Sequence, residues 1–508
     1  MDFKVINKAI AVCETLFDDF DERPVDCDFV LPDYCPDIAA VLKCTLKPVV
    51  QSKQLSGDRM VVDGVANIRV MYLDEARKCV RCCEFSQPFS STFPLKNIGV
   101  NACMRVTAKT DYVNCRATSP RRLDVHGAFT VKLKITAEGG VNVVSGAKGD
   151  RLFTKKDVIY FSVPAASAEK AFTISEVLEL GSGKPAAEAL IREEAVPVLS
   201  DCKVLPNKLI LKGDLFLKNL YVSDVANGMM EQVEHEIPFS QIVDVDGMDD
   251  EWLCDVALEV LSSDVHITVN QNGESCLLTV NVKIQAYVQC YRTGSSEVIV
   301  DAYSAHYPLQ TENRRLDTEH LLGVYRDKRT LKEKMDLPPD GVAEIVDIWC
   351  EAMPTGCRCD TERCCVYGRL MICMLAKDAS GIVAYYERMN DFTLEYDDAC
   401  EAMTANMQVV HTDYAMTGGK QVELRVELSA ARCCYHAESC MAVTNILADE
   451  SGKFPEEKAA LKLYFANKGE SLWEIAKSCH TSMEAVMEEN GLKSDVLTDD
   501  AMLMVPLC

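Results

Sequence analysis

Cysteine is the residue type in this chain most able to do chemistry, with 25 copies in 508 residues. Cys79-Val80-Arg81-Cys82-Cys83 contains a C-x-x-C, and Cys357, Cys359, Cys364 and Cys365 gather in one short stretch. Thiolates at close spacing can hold a tetrahedral zinc. Two features favour buried thiols and no metal. The spacings form no pair of knuckles, and the adjacent pairs Cys82-Cys83, Cys364-Cys365 and Cys433-Cys434 sit in strand-like segments whose neighbours point to opposite faces. Most cysteines therefore read as reduced, small hydrophobes, open to cross-linking only under later oxidation. The 8 histidines are scattered singly, without a carboxylate or cysteine at ligand or catalytic spacing. There is no G-x-S-x-G, H-E-x-x-H or Walker loop, and Gly181-Ser182-Gly183-Lys184-Pro185 lacks the spacing and the Ser/Thr that phosphate binding needs. The expectation is a protein that is not an enzyme and carries no cofactor.

Composition narrows the partners. A net charge of −25, from 53 Lys plus Arg against 78 Asp plus Glu, repels phosphate backbones and anionic lipid, so nucleic acid is not expected. No apolar run approaches the ~18 residues that cross a bilayer, so direct membrane insertion is not expected either. The opening stretch MDFKVINKAIAVCETLFDDF lacks the apolar core and small-residue cleavage site of a secretory signal, so a protein that stays inside the cell is expected. At this length three or four domains are expected.

The elements that must position any site come from a repeat. Val61-Val62-Asp63-Gly64 before alternating Val65, Asn67, Arg69 and Tyr72 is echoed by Ile210-Leu211-Lys212-Gly213 and by Cys365-Val366-Tyr367-Gly368. Each glycine is followed by a phenylalanine landmark, Phe89, Phe239 and Phe392, and each copy closes on an alternating strand, at Arg122 to Leu133, Cys276 to Ala286 and Gln421 to Leu428. Three landmarks in one order at a spacing of roughly 150 residues imply a triplicated all-β domain. Repetition argues against catalysis, because an enzyme site breaks the symmetry of a repeat with one copy's polar cluster. Helical patterns at Ala186 to Glu194 and His320 to Arg326 predict short connecting helices, and Ala9 to Phe20, with Ile10, Cys13, Leu16 and Phe17 on one face, predicts an amphipathic helix against the first copy. The division expected is a helical segment at 1–30, repeats at 31–165, 166–310 and 311–450, and a separate module at 461–508.

That module changes period. Leu461 to Ala466 reads as a strand, and Ser471-Leu472-Trp473-Glu474 and Thr481-Ser482-Met483-Glu484 as capping boxes opening two short helices. Asn490-Gly491 supplies the left-handed stop, and Met502 to Pro506 the closing strand. Leu472, Ile475, Ala476, Val486 and Met487, with Leu463, Leu503 and Val505, are the expected core. The loop Asn467-Lys468-Gly469-Glu470-Ser471-Leu472 and the loop Asn490-Gly491-Leu492-Lys493-Ser494 are expected to lie side by side as a shallow groove, with Trp473 divided between a sugar-stacking and a structural role.

This stretch resembles the LysM family. Lys468-Gly469-Glu470-Ser471-Leu472-Trp473-Glu474-Ile475-Ala476 follows its G-D-T-L-W-x-I-A pattern, and Val505-Pro506 its terminal I-P. The resemblance implies N-acetylglucosamine-containing glycan as the default ligand. Thr498-Asp499-Asp500-Ala501 departs from the usual P-G-Q, and 4 Lys against 8 Asp plus Glu make residues 461–508 acidic. The body resembles the SPOCS domains of spore-forming Firmicutes at Leu31-Pro32-Asp33-Tyr34-Cys35-Pro36-Asp37-Ile38, Asn207 to Leu215, Ile237-Pro238-Phe239-Ser240 and Asp301-Ala302-Tyr303-Ser304. SPOCS units followed by one LysM are the layout of the SipL type of spore morphogenesis protein. That layout implies a coat scaffold in the mother-cell cytoplasm, recruited to the forespore surface, whose LysM groove docks on the coat basement-layer ATPase (SpoIVA-like), with other coat proteins as further partners. The alternative is a peptidoglycan-binding protein acting on cortex or wall. Both readings place binding at Asn467, Lys468, Gly469, Glu470, Ser471, Leu472, Trp473, Asn490, Gly491, Leu492 and Lys493.

Overall fold

The computed structural model describes residues 4–76, 79–95, 102–149, 151–339, 341–360, 363–417, 420–449, 452–455 and 459–507. Strands dominate, and two helices occur among the described residues, both near the C-terminus. The first unit runs β1 (Lys4–Val30), β2 (Ile38–Ser56), β3 (Arg59–Asp74), β4 (Val80–Pro94), β5 (Cys103–Ser119) and β6 (Arg122–Lys148). These form two antiparallel three-stranded sheets, β2-β3-β4 and β1-β6-β5. The second unit repeats the plan with β7 (Leu152–Glu179), β8 (Ala189–Leu205), β9 (Lys208–Asp224), β10 (Met229–Asp244), β11 (Leu253–Thr268) and β12 (Leu277–Ser304). The third does so with β13 (Leu309–Asp336), β14 (Glu344–Cys359), β15 (Cys364–Lys377), β16 (Val383–Tyr396), β17 (Ala402–Thr417) and β18 (Gln421–Ala448). In every unit the first strand pairs with the last along almost its whole length, so each unit closes on itself.

The helical expectations fail here for one reason. Ala9 to Phe20 lies in β1, Ala189 to Glu194 in β8 and His320 to Arg326 in β13. A strand bulge advances the facing pattern by one residue, so same-face positions on either side of it fall three apart, as they do in a helix. Bulges interrupt β1 at Thr15/Phe17, β8 at Leu190/Arg192 and β13 at Leu321/Gly323. Among the described residues there is accordingly no helical segment before Val30, and no helix joins the units. Lys4–Val30 is the opening strand of unit one, and β7 and β13 are its counterparts.

The sequence landmarks prove to be partners. Gly64, Gly213 and Gly368 lie directly opposite Phe89, Phe239 and Phe392 on the neighbouring strand. A Cβ on Gly64 would sit 2.3 Å from the Val49 carbonyl oxygen and 2.4 Å from the Phe89 ring, and one on Gly213 2.1 Å from the Val198 carbonyl oxygen. Phe89 and Phe239 fold over the bare glycine backbone, whereas at Gly368 the excluded space is filled by the Met353 carbonyl oxygen at 2.4 Å.

The three units share three cores besides their own. One gathers Met71, Leu220 and Leu375, equivalent positions on β3, β9 and β15, with Leu73, Val222, Val346 and Trp349. A second gathers Ile10, Ile159 and Leu316 with Val143, Val298 and Ala442. A third gathers Val144, Ile299 and Val443 with Ala302 and Ile446. Residues of all three units meet in each, so the repeats pack around a common pseudo-threefold centre. Opposite Met71, Leu220 and Leu375, at the bulge of β2, β8 and β14, stand Lys43, Arg192 and Asp347. One symmetric position thus carries three different residues. Asp347 is fully buried and takes Arg192 Nε at 2.9 Å, Arg192 Nη2 at 2.8 Å, Gln232 Nε2 at 2.7 Å and Lys218 Nζ at 3.4 Å. Arg192 also donates to Glu194 at 2.7 Å and lies over the Trp349 ring. Lys43 reaches from unit one to Glu387 of unit three at 2.9 Å.

Candidate functional site

The C-terminal module consists of β19 (Leu461–Ala466), α1 (Leu472–Ser478), α2 (Met483–Asn490) and β20 (Ala501–Pro506), with β19 and β20 antiparallel. Ser471 is the N-cap of α1 with extended backbone but makes no side-chain capping bond. The α2 cap is Ser482, whose hydroxyl accepts the Ala485 N–H at 3.0 Å, one residue beyond the expected Thr481. Gly491, left-handed at φ 61°, ends α2.

Leu472, Ile475, Ala476, Val486, Leu503 and Val505 form the core as expected, with Met487 packed against it. Leu463 does not join them. In β19 it is Ala466 and Tyr464 that turn toward the helices, so Leu461, Leu463 and Phe465 must face out. Met502 and Met504 do the same on β20, and the outer face of this small sheet is an apolar stripe on which Phe465 is 76% exposed.

The structure assigns the expected groove residues to different tasks. The first loop runs beside 495–497: Gly469 N–H donates to the Leu497 carbonyl at 2.8 Å, Leu497 N–H to Glu470 at 3.2 Å, and Leu472 N–H to Asp495 at 2.8 Å. The second loop turns back on its own helix and on β20. Leu492 N–H reaches the Met487 carbonyl, and the Asn490 side chain clasps the backbone of Met504 from both sides. Asn467, Lys468, Gly469, Gly491 and Lys493 are exposed, and Glu470, Ser471, Asn490 and Leu492 partly so. The Lys468 N–H is held by Asp500, and the Glu470 carboxylate beside Tyr464 holds that phenol above its usual range. Leu472 and Trp473 are buried and line no groove.

Trp473 instead makes the joint between module and body. Its Nε1 donates to Asp301 Oδ2 at 2.7 Å, and Lys477 Nζ meets both oxygens of Asp301 at 2.9 and 2.7 Å. Tyr303 sets its ring edge-on to the indole, with centroids 4.8 Å apart, and donates its hydroxyl to the Thr481 carbonyl at 2.7 Å. Phe153 backs Tyr303 from β7. Asp301 and Tyr303 end β12, so the module is seated on unit two by a stretch the sequence had marked, Asp301 to Ser304, for another reason.

Some polar clusters escaped the sequence reading. His126 lies between Asp26 at 3.1 Å and Asp124 at 2.9 Å, and His411 between Glu234 at 3.0 Å and Asp413 at 2.9 Å. The signal was present as Asp124-x-His126 and His411-x-Asp413, because residues two apart on a strand share a face. His411 borders a cleft between units two and three, with Lys218, Glu234 and Lys328. These are ion pairs at partly exposed positions.

With this geometry in hand, comparison with known families is specific. Residues 37–118 and 186–268 match the family described as SipL, SPOCS domain, and residues 466–503 match the LysM domain. Nothing matches among curated proteins or solved structures. The chain thus carries SPOCS-like segments in units one and two and a LysM domain near its C-terminus, a combination that supports a sporulation-related protein with a peptidoglycan-binding type of module. The SPOCS matches cover the β2-to-β5 and β8-to-β11 regions of units one and two, and β14 to β17 repeat the same strand order in unit three. The domains found are binding and scaffold types.

Proposed function

We propose that this protein is a non-enzymatic scaffold of spore coat assembly, working at the forespore surface in the mother cell. Its closed three-unit body carries the LysM domain in a fixed attitude, and that domain docks on a partner protein, the coat basement-layer ATPase (SpoIVA-like). The observation that carries the reading is the use of Trp473. The aromatic best suited to stacking on a sugar is buried against Tyr303 and Asp301, while the open face of the module is the stripe Leu461, Leu463, Phe465, Met502 and Met504. A methionine-rich, aliphatic stripe suits a protein surface better than a polar glycan. Asn467, Lys468, Gly491 and Lys493 are the exposed residues of the two loops.

The test uses the full-length protein, because Trp473 takes its partner from the body. Binding to the purified ATPase and to peptidoglycan sacculi is measured side by side for the parent, Phe465→Asp and Lys468→Glu. The expected result is binding to the ATPase, lost in Phe465→Asp and weakened in Lys468→Glu, with unchanged circular dichroism. Saturable binding to sacculi competed by chitin oligomers, with none to the ATPase, refutes the proposal in favour of a peptidoglycan-binding role.

A further inference from the structure

Unit three holds a group of thiols that the fold assembles from three separate places. Cys359 ends β14 and Cys364 begins β15, facing each other across the hairpin. Cys400 comes from the segment between β16 and β17, and its sulfur lies 3.2 Å from that of Cys364 and 4.0 Å from that of Cys359. The three sulfurs all lie within 4.8 Å of one another. We propose that Cys359, Cys364 and Cys400 bind a zinc ion that ties the β14–β15 hairpin to the segment before β17.

The geometry favours a metal over a disulfide or a simple core. Tetrahedral Zn–S bonds of about 2.3 Å put ligand sulfurs about 3.8 Å apart, inside the range seen here, whereas a disulfide needs about 2.05 Å. A thiol that served only as core filler should recur at equivalent places, as the landmark glycines do. It does not: the matching hairpin ends are Ser56 with Arg59 in unit one and Leu205 with Lys208 in unit two. Unit two holds a pair, Cys254 and Cys290, with the Met248 thioether, and so lacks the third thiol. The cluster breaks the symmetry of the repeat in one copy, which is how a site differs from a core.

Burial raises the thiols of Cys359 and Cys364 above their ordinary range. As each sulfur bonds zinc its proton passes to water, and three thiolates leave a singly negative centre whose fourth position is open to water. Cys359 is the half-buried member and opens the route by which an ion enters. Spacing alone could not reveal this set, because its members come from a hairpin and a separate loop.

The test is metal analysis of the full-length protein purified under reducing conditions without chelator, with Cys364→Ser, Cys400→Ser and, as control, Cys254→Ser. About one zinc per chain is expected in the parent and the control, falling at least about tenfold in the other two. Should those variants fail to fold, cobalt(II) added to the reduced parent decides by itself: a sulfur-to-cobalt charge-transfer band with tetrahedral ligand-field absorption is expected. Zinc at trace levels with no such band, or zinc unchanged in Cys364→Ser and Cys400→Ser, overturns the proposal. So does a Cys364–Cys400 disulfide in the freshly isolated protein.

Discussion

Replacing Asp347 by alanine tests how the three units are held together. Asp347 is buried from solvent at the pseudo-threefold centre, accepts hydrogen bonds from Arg192 Nε and Gln232 Nε2, and has Arg192 Nη2 in ion-pair contact. Removing it leaves Arg192, itself 7% exposed, with Glu194 and the Trp349 face as its remaining partners. Taking one partner from a buried pair costs about 3–5 kcal/mol, because the charge left behind stays desolvated. For a cooperative unit of this size that lowers the thermal transition by roughly 6–20 °C. Scanning calorimetry and urea unfolding of Asp347→Ala, Arg192→Met and the double variant Arg192→Met with Asp347→Leu measure it. The double variant should recover most of the loss, since an apolar pair of similar volume removes both charges at once. A loss below about 1 kcal/mol in Asp347→Ala, or a double variant as unstable as the two singles added, would refute the view that this diverged symmetric position clamps unit two to unit three.

Gly213→Ala should cost about 3 kcal/mol or more by urea midpoint, because the new Cβ meets the Val198 carbonyl oxygen at 2.1 Å and the Phe239 ring at 2.7 Å, whereas Gly140→Ala, with 3.7 Å to its nearest neighbour, should change little. Asp301→Ala should loosen the LysM domain without unfolding it, seen as a red-shifted Trp473 emission and faster proteolysis before Leu461, while unfolding of the body stays unchanged. The Glu387 carboxylate is held below the ordinary glutamate range by its hydrogen bond from Lys43, with a further bond from Tyr385. Its folded value lies under the unfolded one, so the pair stabilises above the unfolded value near about 4.3 and its contribution is lost as pH falls through the folded value. Titrating stability between neutral and acid pH should show Glu387→Gln less sensitive than the parent, by about 0.2–1 kcal/mol for a pair this exposed.

The triplication, the β class and the C-terminal module were legible because each rests on a local signal repeated many times. Gly64, Gly213 and Gly368 mark positions where a backbone oxygen excludes a Cβ, and period-two alternation survives wherever a strand is regular. The LysM plan was legible down to the left-handed stop at Gly491, because such stops are decided within a few residues, whereas the capping bonds fell elsewhere than expected. Contacts made across long separations were not legible. Nothing near Ala9 or Ala189 says that a bulge will reset the facing pattern, so those strands imitated helices. Trp473 could not be given a role until Asp301 and Tyr303 arrived beside it from β12. The chain by itself determined which residues alternate, turn and cap, because those preferences are settled by neighbours in sequence. Only the tertiary structure decided that Lys43, Arg192 and Asp347 share one position, and that Cys359, Cys364 and Cys400 meet, because register across 26-residue strand pairs and packing around a common centre set distances that no local preference encodes.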